Sequence, residues 1–474
     1  MTRFSARILV SLFLSVFSLP WFVPPVRGQT NLTLEDAINL SLQNNSRWML
    51  AREKVIENGL KVKEAWGKLW PDLNIDVSRT FMGAEKGINA LSSGQANVDF
   101  VKGSFSINPG VFYHSLQATR DIYVISVNDE RKARADTIVK TIELYNKSFL
   151  AAENVTLMSN SLQALQANLQ AANASYNSGS GMNVDRLRAG VVVANQRTKL
   201  IMAQNDLRNS RAALNAHMGR GWNSPFTIDA ASITVNESEV SGYTNMPDAT
   251  IDSNLDALTL AALKNRPEIL QVTFKKKAAL DSARANASAY LFPSFFVSGS
   301  WGTSKSIAKE GAGPAPTGNP ATDAIIKAMV GEFSPSGWNG SWNLTMGATY
   351  KFGALAPWDP SHARAGQSLS QARQADLEMD DLVKSIRLEV QQKFFKLISA
   401  ASVILSQKDN IASSEEYFRV AIIQFKNGVI DNSKLLSADV DLENAKTMYI
   451  QALFDFQMAK ADLNRAIGGD KFQY

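Results

Sequence analysis

Few side chains in this sequence could do chemistry. His114, His217 and His362 lie far apart, without the paired spacing of metal ligands. There is no cysteine, which excludes disulfides, thiolate metal sites, cysteine nucleophiles and the acylated N-terminal cysteine of a lipoprotein. No P-loop, HExxH or nucleophile elbow is present. Gly179-Ser180-Gly181 lacks the strand–turn–helix setting of a phosphate loop and reads as a hairpin turn. The pattern therefore points away from an enzyme, and no catalytic, cofactor-binding or metal-binding residue is assigned. Asp185 and Asp431 stand beside glycine turns, where turn formation and helix capping are the simplest roles.

The remaining chemistry belongs to a surface, the run WNLTMGATYKF from Trp342 to Phe352. Trp342, Leu344, Met346, Ala348, Tyr350 and Phe352 alternate with Asn343, Thr345, Gly347, Thr349 and Lys351. One apolar and one polar face over this length suit a membrane β-barrel, with lipid outside and water inside. Asn343, Thr345, Thr349 and Lys351 are the expected pore-facing residues. Phe292, Trp301, Trp338, Trp342, Phe352 and Trp358 lie near strand ends and could form interfacial girdles.

Three further segments resemble this strand. Residues 73–82, 98–108 and 294–302 alternate in the same way, and 342–352 is the fourth. The rest is mostly amphipathic helix. Helices are expected at 32–69, broken near Asn44–Ser46; at 113–176 and 183–218; at 255–290, broken at Arg266-Pro267; and at 360–426 and 431–467. Residues 222–253 read as an irregular insert, and 303–340 as a long Gly- and Pro-rich loop. A helix of about 60 residues spans about 90 Å, far beyond globular lengths, and needs coiled-coil partners. Along the last long helix Met379, Val383, Ile386, Val390, Phe394, Leu397, Ala401 and Ile404 step by threes and fours, as a bundle face does.

The chain is internally duplicated, with a first repeat at 29–253 and a second at 254–474. LEDAINLSLQNN at Leu34 matches LDALTLAALKNR at Leu255, and Pro71 matches Pro293 at a helix-to-strand step. YNSGSGMNVDRLRAGVV at Tyr176 matches FKNGVIDNSKLLSADV at Phe425. From there Gly179 pairs with Gly428 and Gly219 with Gly468 without a gap. Each repeat reads helix, strand, loop, strand, long helix, turn, helix. Two short helices stacked end to end could lie along each long one.

Residues 1–28 read as a signal peptide: Arg3 and Arg7, an apolar run from Ile8 to Val23, then small residues Val26 and Gly28 before cleavage. The net charge of +5 comes from 49 basic and 44 acidic residues. Without Arg3, Arg7 and Arg27 it falls to 46 against 44, and nothing suggests nucleic acid.

Four strands cannot close a barrel, and an open edge cannot face lipid. Subunits must combine, with the helices projecting as a joint wall into an aqueous compartment. A water-filled conduit follows; a filled bundle is the alternative. An exported coiled-coil fibre or adhesin without channel activity would explain the helices and leave the strands unexplained.

At this point the sequence resembles the TolC-like outer-membrane efflux proteins. The resemblance covers nearly all of the chain beyond residue 28. It rests on the LTLEDAINLSLQNN opening, the steps at Pro71 and Pro293, and the Gly turn followed by Leu-x-Ala in both repeats. It implies a mainly α fold in which a long antiparallel α-helical barrel, the periplasmic tunnel, joins a 12-stranded β-barrel. The barrel is shared by a homotrimer, four strands per chain, in outer-membrane lipid. It implies no cofactor. It implies two partners, a periplasmic adaptor and an inner-membrane pump or ABC transporter, for efflux or type I secretion. The family gates its channel at the periplasmic tip, which here comprises Gly179, Asp185, Phe425, Gly428, Ile430, Asp431, Lys434 and Ser437. Asp185 stands at a tip aspartate of the family. Lys434 and Ser437 replace two ring aspartates, and Phe425 and Ile430 replace a tyrosine and an arginine of the closing links. The resemblance thus implies an entrance less acidic than the family pattern.

Overall fold

The computed structural model describes residues 30–81, 93–228, 237–308, 318–324 and 339–469. Segment 1–28 and Trp338 lie outside them. Strand β1 (Thr30–Leu32) precedes helices α1 (Leu34–Asn44) and α2 (Ser46–Gly67). Strands β2 (Asp72–Phe81) and β3 (Ser93–Ile107) lead into α3 (Pro109–Asn177), and α4 (Asn183–His217) returns. Then come β4 (Phe226–Ile228), α5 (Glu237–Thr244), α6 (Asp248–Asn265) and α7 (Pro267–Leu291). Strands β5 (Ser294–Ala308) and β6 (Asn339–Thr349), a 3-10 turn (Phe352–Leu355), α8 (Pro360–Lys426) and α9 (Asn432–Ala466) complete the chain.

The sheet and the helices share one lateral order. The four strands run β2-β3-β5-β6, all antiparallel. Among the helices α2 and α4 pack on α3, α3 packs on α7 and α9, and both of those pack on α8. Each strand therefore continues a helical column: α2 into β2, α3 out of β3, α7 into β5, α8 out of β6. Small residues let the columns approach closely. Ala278, Ala279, Ala283, Ala285 and Ser288 of α7 are buried, as are Ala365, Ser368, Ala372 and Ala375 of α8. At Gly110 an added Cβ would lie 2.7 Å from Ser288 Oγ, so α3 and α7 meet backbone to side chain there.

The apolar core is concentrated midway along the columns, where α1, β1, β4, α5 and α6 add an outer layer. Ile138, Ile142 and Tyr145 of α3 pack with Leu34, Ala37 and Ile38 of α1 and with Phe226 of β4. The fully buried Tyr145 donates its hydroxyl hydrogen to the Leu32 carbonyl (2.9 Å). On the other side Phe394, Leu397 and Ile404 of α8 pack with Val240 of α5 and Phe456 of α9.

Several boundaries differ from the sequence expectation. β3 begins at Ser93 rather than 98, and β5 ends at Ala308 rather than 302. These extensions pair with each other, Ser93 to Ala308, through backbone groups that need no apolar side chains. β2 is 72–81 rather than 73–82. β6 spans 339–349 rather than 342–352. It stops because Thr349 pairs with Ser294, and the next partner, Pro293, has no N–H to donate. Lys351 and Phe352 thus leave the strand: Lys351 precedes the 3-10 turn and Phe352 begins it. Tyr350 turns the corner, its hydroxyl donating to the Tyr290 carbonyl (3.1 Å).

The span 32–69 is two helices, because Asn45 is extended and caps α2 by accepting from the Arg47 and Trp48 amides. The span 255–290 is likewise α6 and α7, with Arg266 extended before Pro267. The long helix expected at 113–176 starts earlier, at Pro109, because proline is tolerated in a first turn. The insert 222–253 holds β4, α5 and the start of α6. β4 pairs in parallel with β1. α1 begins at Leu34 rather than 32, α2 ends at Gly67 rather than 69, and α6 begins at Asp248 rather than 255; α8 coincides with 360–426, and the other helix ends differ by at most one residue.

Candidate functional site

The sheet builds a two-faced wall from its register. Directly paired residues share a face. Phe105 pairs with Val297 and Val297 with Met346; Ile107 pairs with Phe295 and Phe295 with Ala348. Val101 pairs with Trp301 and Trp301 with Trp342. Leu73 pairs with Gly103, Gly103 with Gly299 and Gly299 with Leu344. One apolar face results, and it is open: Ile75, Val77 and Trp342 are 76%, 75% and 77% exposed. Gly103 and Gly299 leave room for neighbours on it; an added Cβ would lie 3.1 Å from Leu73 Cδ2 and 3.3 Å from Leu344 Cδ1, respectively.

A β-bulge interrupts β3 between Asp99 and Val101. The extra residue, Phe100, has its ring 5.3 Å from that of Trp301. The bulge thus puts Phe100 and Val101, neighbours in sequence, on the same face. Neighbouring aromatic positions on one face are invisible to an alternation rule.

The opposite face carries Ser104, Ser106, Ser298, Ser300, Asn343, Thr345 and Thr349. Asn343 Oδ1 accepts from the Ser300 amide (2.8 Å) and hydroxyl (3.0 Å), so its amide lies along the sheet. Phe296 also belongs to this face, its ring lying over Gly347, where a Cβ would come within 2.7 Å of Phe296 Cζ. Lys351 is beyond the strand. The polar face therefore has an aromatic at its helix-proximal end that alternation did not reveal.

Aromatics collect at the four strand–helix junctions. Trp66 and Trp70 lie at α2–β2, Phe112 and Tyr113 at β3–α3, Tyr290 and Phe292 at α7–β5, and Tyr350, Phe352 and Trp358 at β6–α8. Phe352, Trp358 and Trp70 are at least 77% exposed. Asn108 ties two junctions together, capping α3 through Val111 N (3.1 Å) and donating to the Phe292 carbonyl (2.9 Å). Trp301 lies nine positions beyond Phe292; at about 3.3 Å per residue and roughly 40° tilt, about 23 Å of height separates the two aromatic levels.

At the far end of the helices the two turns share one hydrogen-bond pattern. Gly179 N donates to Tyr176 O and Gly428 N to Phe425 O, both at 3.0 Å. Ser180 N donates to Ser175 O (3.0 Å) and Val429 N to Gln424 O (2.9 Å). Gly179 and Gly428 have φ of +76° and +72°, a conformation that favours glycine. The side chains around them diverge. Asp431 caps α9, accepting from Lys434 N (3.0 Å) and Ser433 Oγ (2.8 Å). The Ser433 hydroxyl first, then the Lys434 amide and the charges of Lys434 and Arg188, hold its carboxyl below the usual aspartate range. In α4 the cap position is Met182, without a side-chain bond, and Asp185 sits half-buried in the first turn. Repeat register places Asp185 opposite Lys434 and Tyr176 opposite Phe425. Arg186 donates to Asn183 Oδ1 (2.9 and 3.1 Å) and lies 5.0 Å over the Tyr176 ring, closing the first turn. Lys434 and Ser437 are exposed, Phe425 is at the margin of exposure, and Ile430 is half-buried.

Above the turns, Glu443 of α9 is buried against the other hairpin. It accepts from Ser161 Oγ of α3 (2.8 Å), Gln196 Nε2 of α4 (3.1 Å) and Lys199 Nζ of α4 (3.4 Å). One turn away, burial and then the Glu443 charge push Asp439 up to about 6, against a weaker opposing effect of Lys446. The partners of Glu443 come from distant parts of the chain, which is why no sequence motif marks it.

Among the described residues, no group of three or more His, Asp or Glu is placed to hold a metal, and no helix is long and apolar enough to cross a membrane. A family model described as "Outer membrane efflux protein" matches residues 38–220 and 258–469. Solved channels are similar along nearly the whole chain. The outer-membrane channel OprN is 16% identical, with 92% of this chain and 90% of that one covered and a TM-score of 0.70. CusC is 17% identical, with 93% of each chain covered and a TM-score of 0.71. The open state of the Neisseria gonorrhoeae MtrE channel is 19% identical, with 92% and 89% covered and a TM-score of 0.69. At these identities the likeness is one of fold. No curated protein matches the chain.

Proposed function

The chain belongs to the outer membrane efflux protein family, and from that premise we propose that three copies assemble into a trans-envelope exit channel. The observation that carries this is the coincidence of open edges. The sheet ends at β2 and β6, and the helical wall ends at α2/α4 and α8, on the same two sides. Both sides leave apolar residues uncovered: Leu50, Ile56, Val191 and Ile201 on one, Leu377, Leu388 and Phe395 on the other. Edges of this kind are unstable in lipid and in water unless another copy covers them. Joining the β6/α8 edge of one copy to the β2/α2 edge of the next is a head-to-tail contact, which closes into a ring. Eight strands make a barrel just wide enough for its own side chains to fill, and the diameter grows with strand number, so twelve enclose a wider interior.

In this reading the polar face of Ser298, Asn343 and Thr345 lines the pore and the face of Leu344 and Met346 meets lipid. The helical columns form a periplasmic tunnel, with the turns at Gly179 and Gly428 at its inner end. There the channel joins a periplasmic adaptor and an inner-membrane transporter, which supplies substrate and energy. Mild cross-linking followed by affinity purification from intact cells tests this. Recovery of an adaptor with an inner-membrane pump or ABC transporter supports the assembly. Recovery of the chain with itself alone, under conditions that retain other envelope complexes, contradicts it.

A further inference from the structure

We propose that the first repeat of each chain carries a binding recess on the inner face of the tunnel wall. Its ligand is an amphipathic small molecule, neutral or zwitterionic, with an apolar body and an N–H or O–H donor. The placement inside a tunnel rests on the ring reading above; the recess itself does not.

The recess is a cavity of about 620 Å³ between α3, α4 and α9, within the size range of sites for small organic ligands. Leu144, Leu150 and Leu157 of α3 line it and are half-buried. Asn154 lies among these leucines, and its Oδ1 is buried with no donor among the described residues. An orphan acceptor in an apolar site favours a ligand that brings a donor. Lys147 of α3 and Asp206 of α4, both exposed, add one charge of each sign at the mouth. A ligand with a single net charge would meet one of them unfavourably. Three contacts fix the direction in which the recess opens, at 3.6 residues per turn. Lys147 and Asn154 lie on the side of α3 away from Ile142 and Tyr145, which pack on α1. Asp206 lies on the side of α4 away from Arg211, which sits 5.8 Å over the Phe226 ring of β4. Ile450 lies on the side of α9 away from Phe456, which packs with Val240 of α5. The recess therefore opens on the face of the wall that bears no outer layer. In a ring that layer lies outside, where the circumference has room for it, and the recess faces the lumen.

The duplication shows that the fold does not require this recess. In the ungapped register that pairs Gly179 with Gly428, Lys147 and Asp206 keep their charges as Lys396 and Asp455. The apolar floor does not survive: Leu144, Leu150 and Leu157 become Lys393, Ser399 and Ser406, and Asn154 becomes Val403. Ala213, which also lines the recess, becomes Asp462, and Lys393 donates to Asp462 (2.7 Å). An ion pair thus stands where the first repeat has apolar space. The same helical wall is built either way. A ring of three chains would carry three such recesses.

Dansylamide serves as the probe, with a naphthalene body, no net charge and a sulfonamide N–H donor; its N,N-dimethyl sulfonamide analogue lacks the donor. Fluorescence titration of the full-length protein in nanodiscs, against empty nanodiscs, should show saturable binding of dansylamide, about tenfold tighter than that of the analogue. Asn154→Val should remove this preference. Leu144→Lys combined with Ala213→Asp copies the second repeat and should abolish saturable binding without lowering the melting temperature. Absence of saturable binding to the wild type, a preference unmoved by Asn154→Val, or undiminished binding to the paired variant overturns the proposal. In planar bilayers dansylamide should reduce the current through the wild type and not through the paired variant. Saturable binding with unchanged current overturns the placement in the lumen. A preparation that conducts no current at all tells against the ring reading instead, and the titration still decides the recess.

Discussion

Arg266 donates its Nε–H to the Ala466 carbonyl at 2.5 Å, joining the start of α7 to the end of α9. In the first repeat Asn45 does the same work, its Nδ2 donating to the His217 carbonyl (3.0 Å) at the end of α4. Each contact makes two short helices act as one column beside a long neighbour, since it satisfies a terminal carbonyl that the helix itself cannot. The solutions differ chemically. Asn45 also caps α2 and donates to His217 Nδ1 (3.2 Å), leaving Nε2 to donate to Thr137 O (3.3 Å). Burial holds the His217 imidazole below the usual histidine range and so in its neutral form. Arg266 pairs with Glu389 (2.7 Å), which also faces Arg465.

Arg266→Met should therefore cost more than Asn45→Ala. Loss of the Asn45 cap is worth about 1–2 kcal/mol. Loss of Arg266 removes a donor from the Ala466 carbonyl and leaves Glu389 with only its longer pairing to Arg465, about 2–3 kcal/mol; this is below the range for a fully buried pair because Glu389 keeps Arg465 and has part of its surface in water. Thermal unfolding of the detergent-solubilised protein measures both. Equal losses would remove the distinction between the two joints.

Substitution of the four turn glycines should divide into two classes. Gly219 and Gly468, with φ of +67° and +70°, sit against the joints: a Cβ would lie 2.6 Å from Asn44 Cβ and 2.9 Å from Asn265 C, respectively. Gly179 and Gly428 face open space. Alanine at the latter pair should cost about 1 kcal/mol, the strain of a left-handed backbone, and at the former about 3 kcal/mol, through added overlap. Melting temperatures of the four variants check the order.

On the sheet, Leu344→Arg should destabilise by about 2–4 kcal/mol as a charge on a lipid face, whereas Thr345→Lys should fold normally and shift ion selectivity toward anions. Refolding into bilayers and reversal potentials under a salt gradient separate the two effects. Equal tolerance at both positions would contradict the assignment of faces.

Much of this was legible in the sequence because it depends on local pattern. Alternation marked the four strands, and prolines and glycines in register marked the duplication. The expectation failed where a backbone property overrode side-chain pattern. The Phe100 bulge breaks alternation, Pro293 ends the ladder before Tyr350 and Lys351, and polar residues at Ser93 and Ser304 continue it beyond the apolar band. β1 and β4, three residues each, are too short to carry a period. Glu443, Asn45 and Arg266 act through partners across the fold, so their types alone say little.

Acidification should stabilise the fold around Asp439. Asp439 rises from the ordinary 3.8 to about 6, so the folded protein holds a proton there that the unfolded chain releases. Its contribution to stability therefore falls as pH rises from about 4 through 6, and the Asp439→Asn variant should lack this slope. Melting temperatures at pH 5 and pH 7 test it: the wild type should lose more on going to pH 7 than the variant does.

Asp185 and Lys434 stand at matching places in the two repeats, so a ring of six turns would alternate acid and base. Asp185→Ala should then raise resting conductance in planar bilayers, and Lys434→Ala should do the same. Unchanged conductance in both would leave the pair as ordinary helix-end residues.

The most direct test of a shared channel combines native mass spectrometry with single-channel recording on one preparation. The account predicts a species of three chains that conducts ions across a planar bilayer and loses conductance when the Leu344 face is charged. A stable monomer, or an oligomer that inserts without conducting, would contradict it.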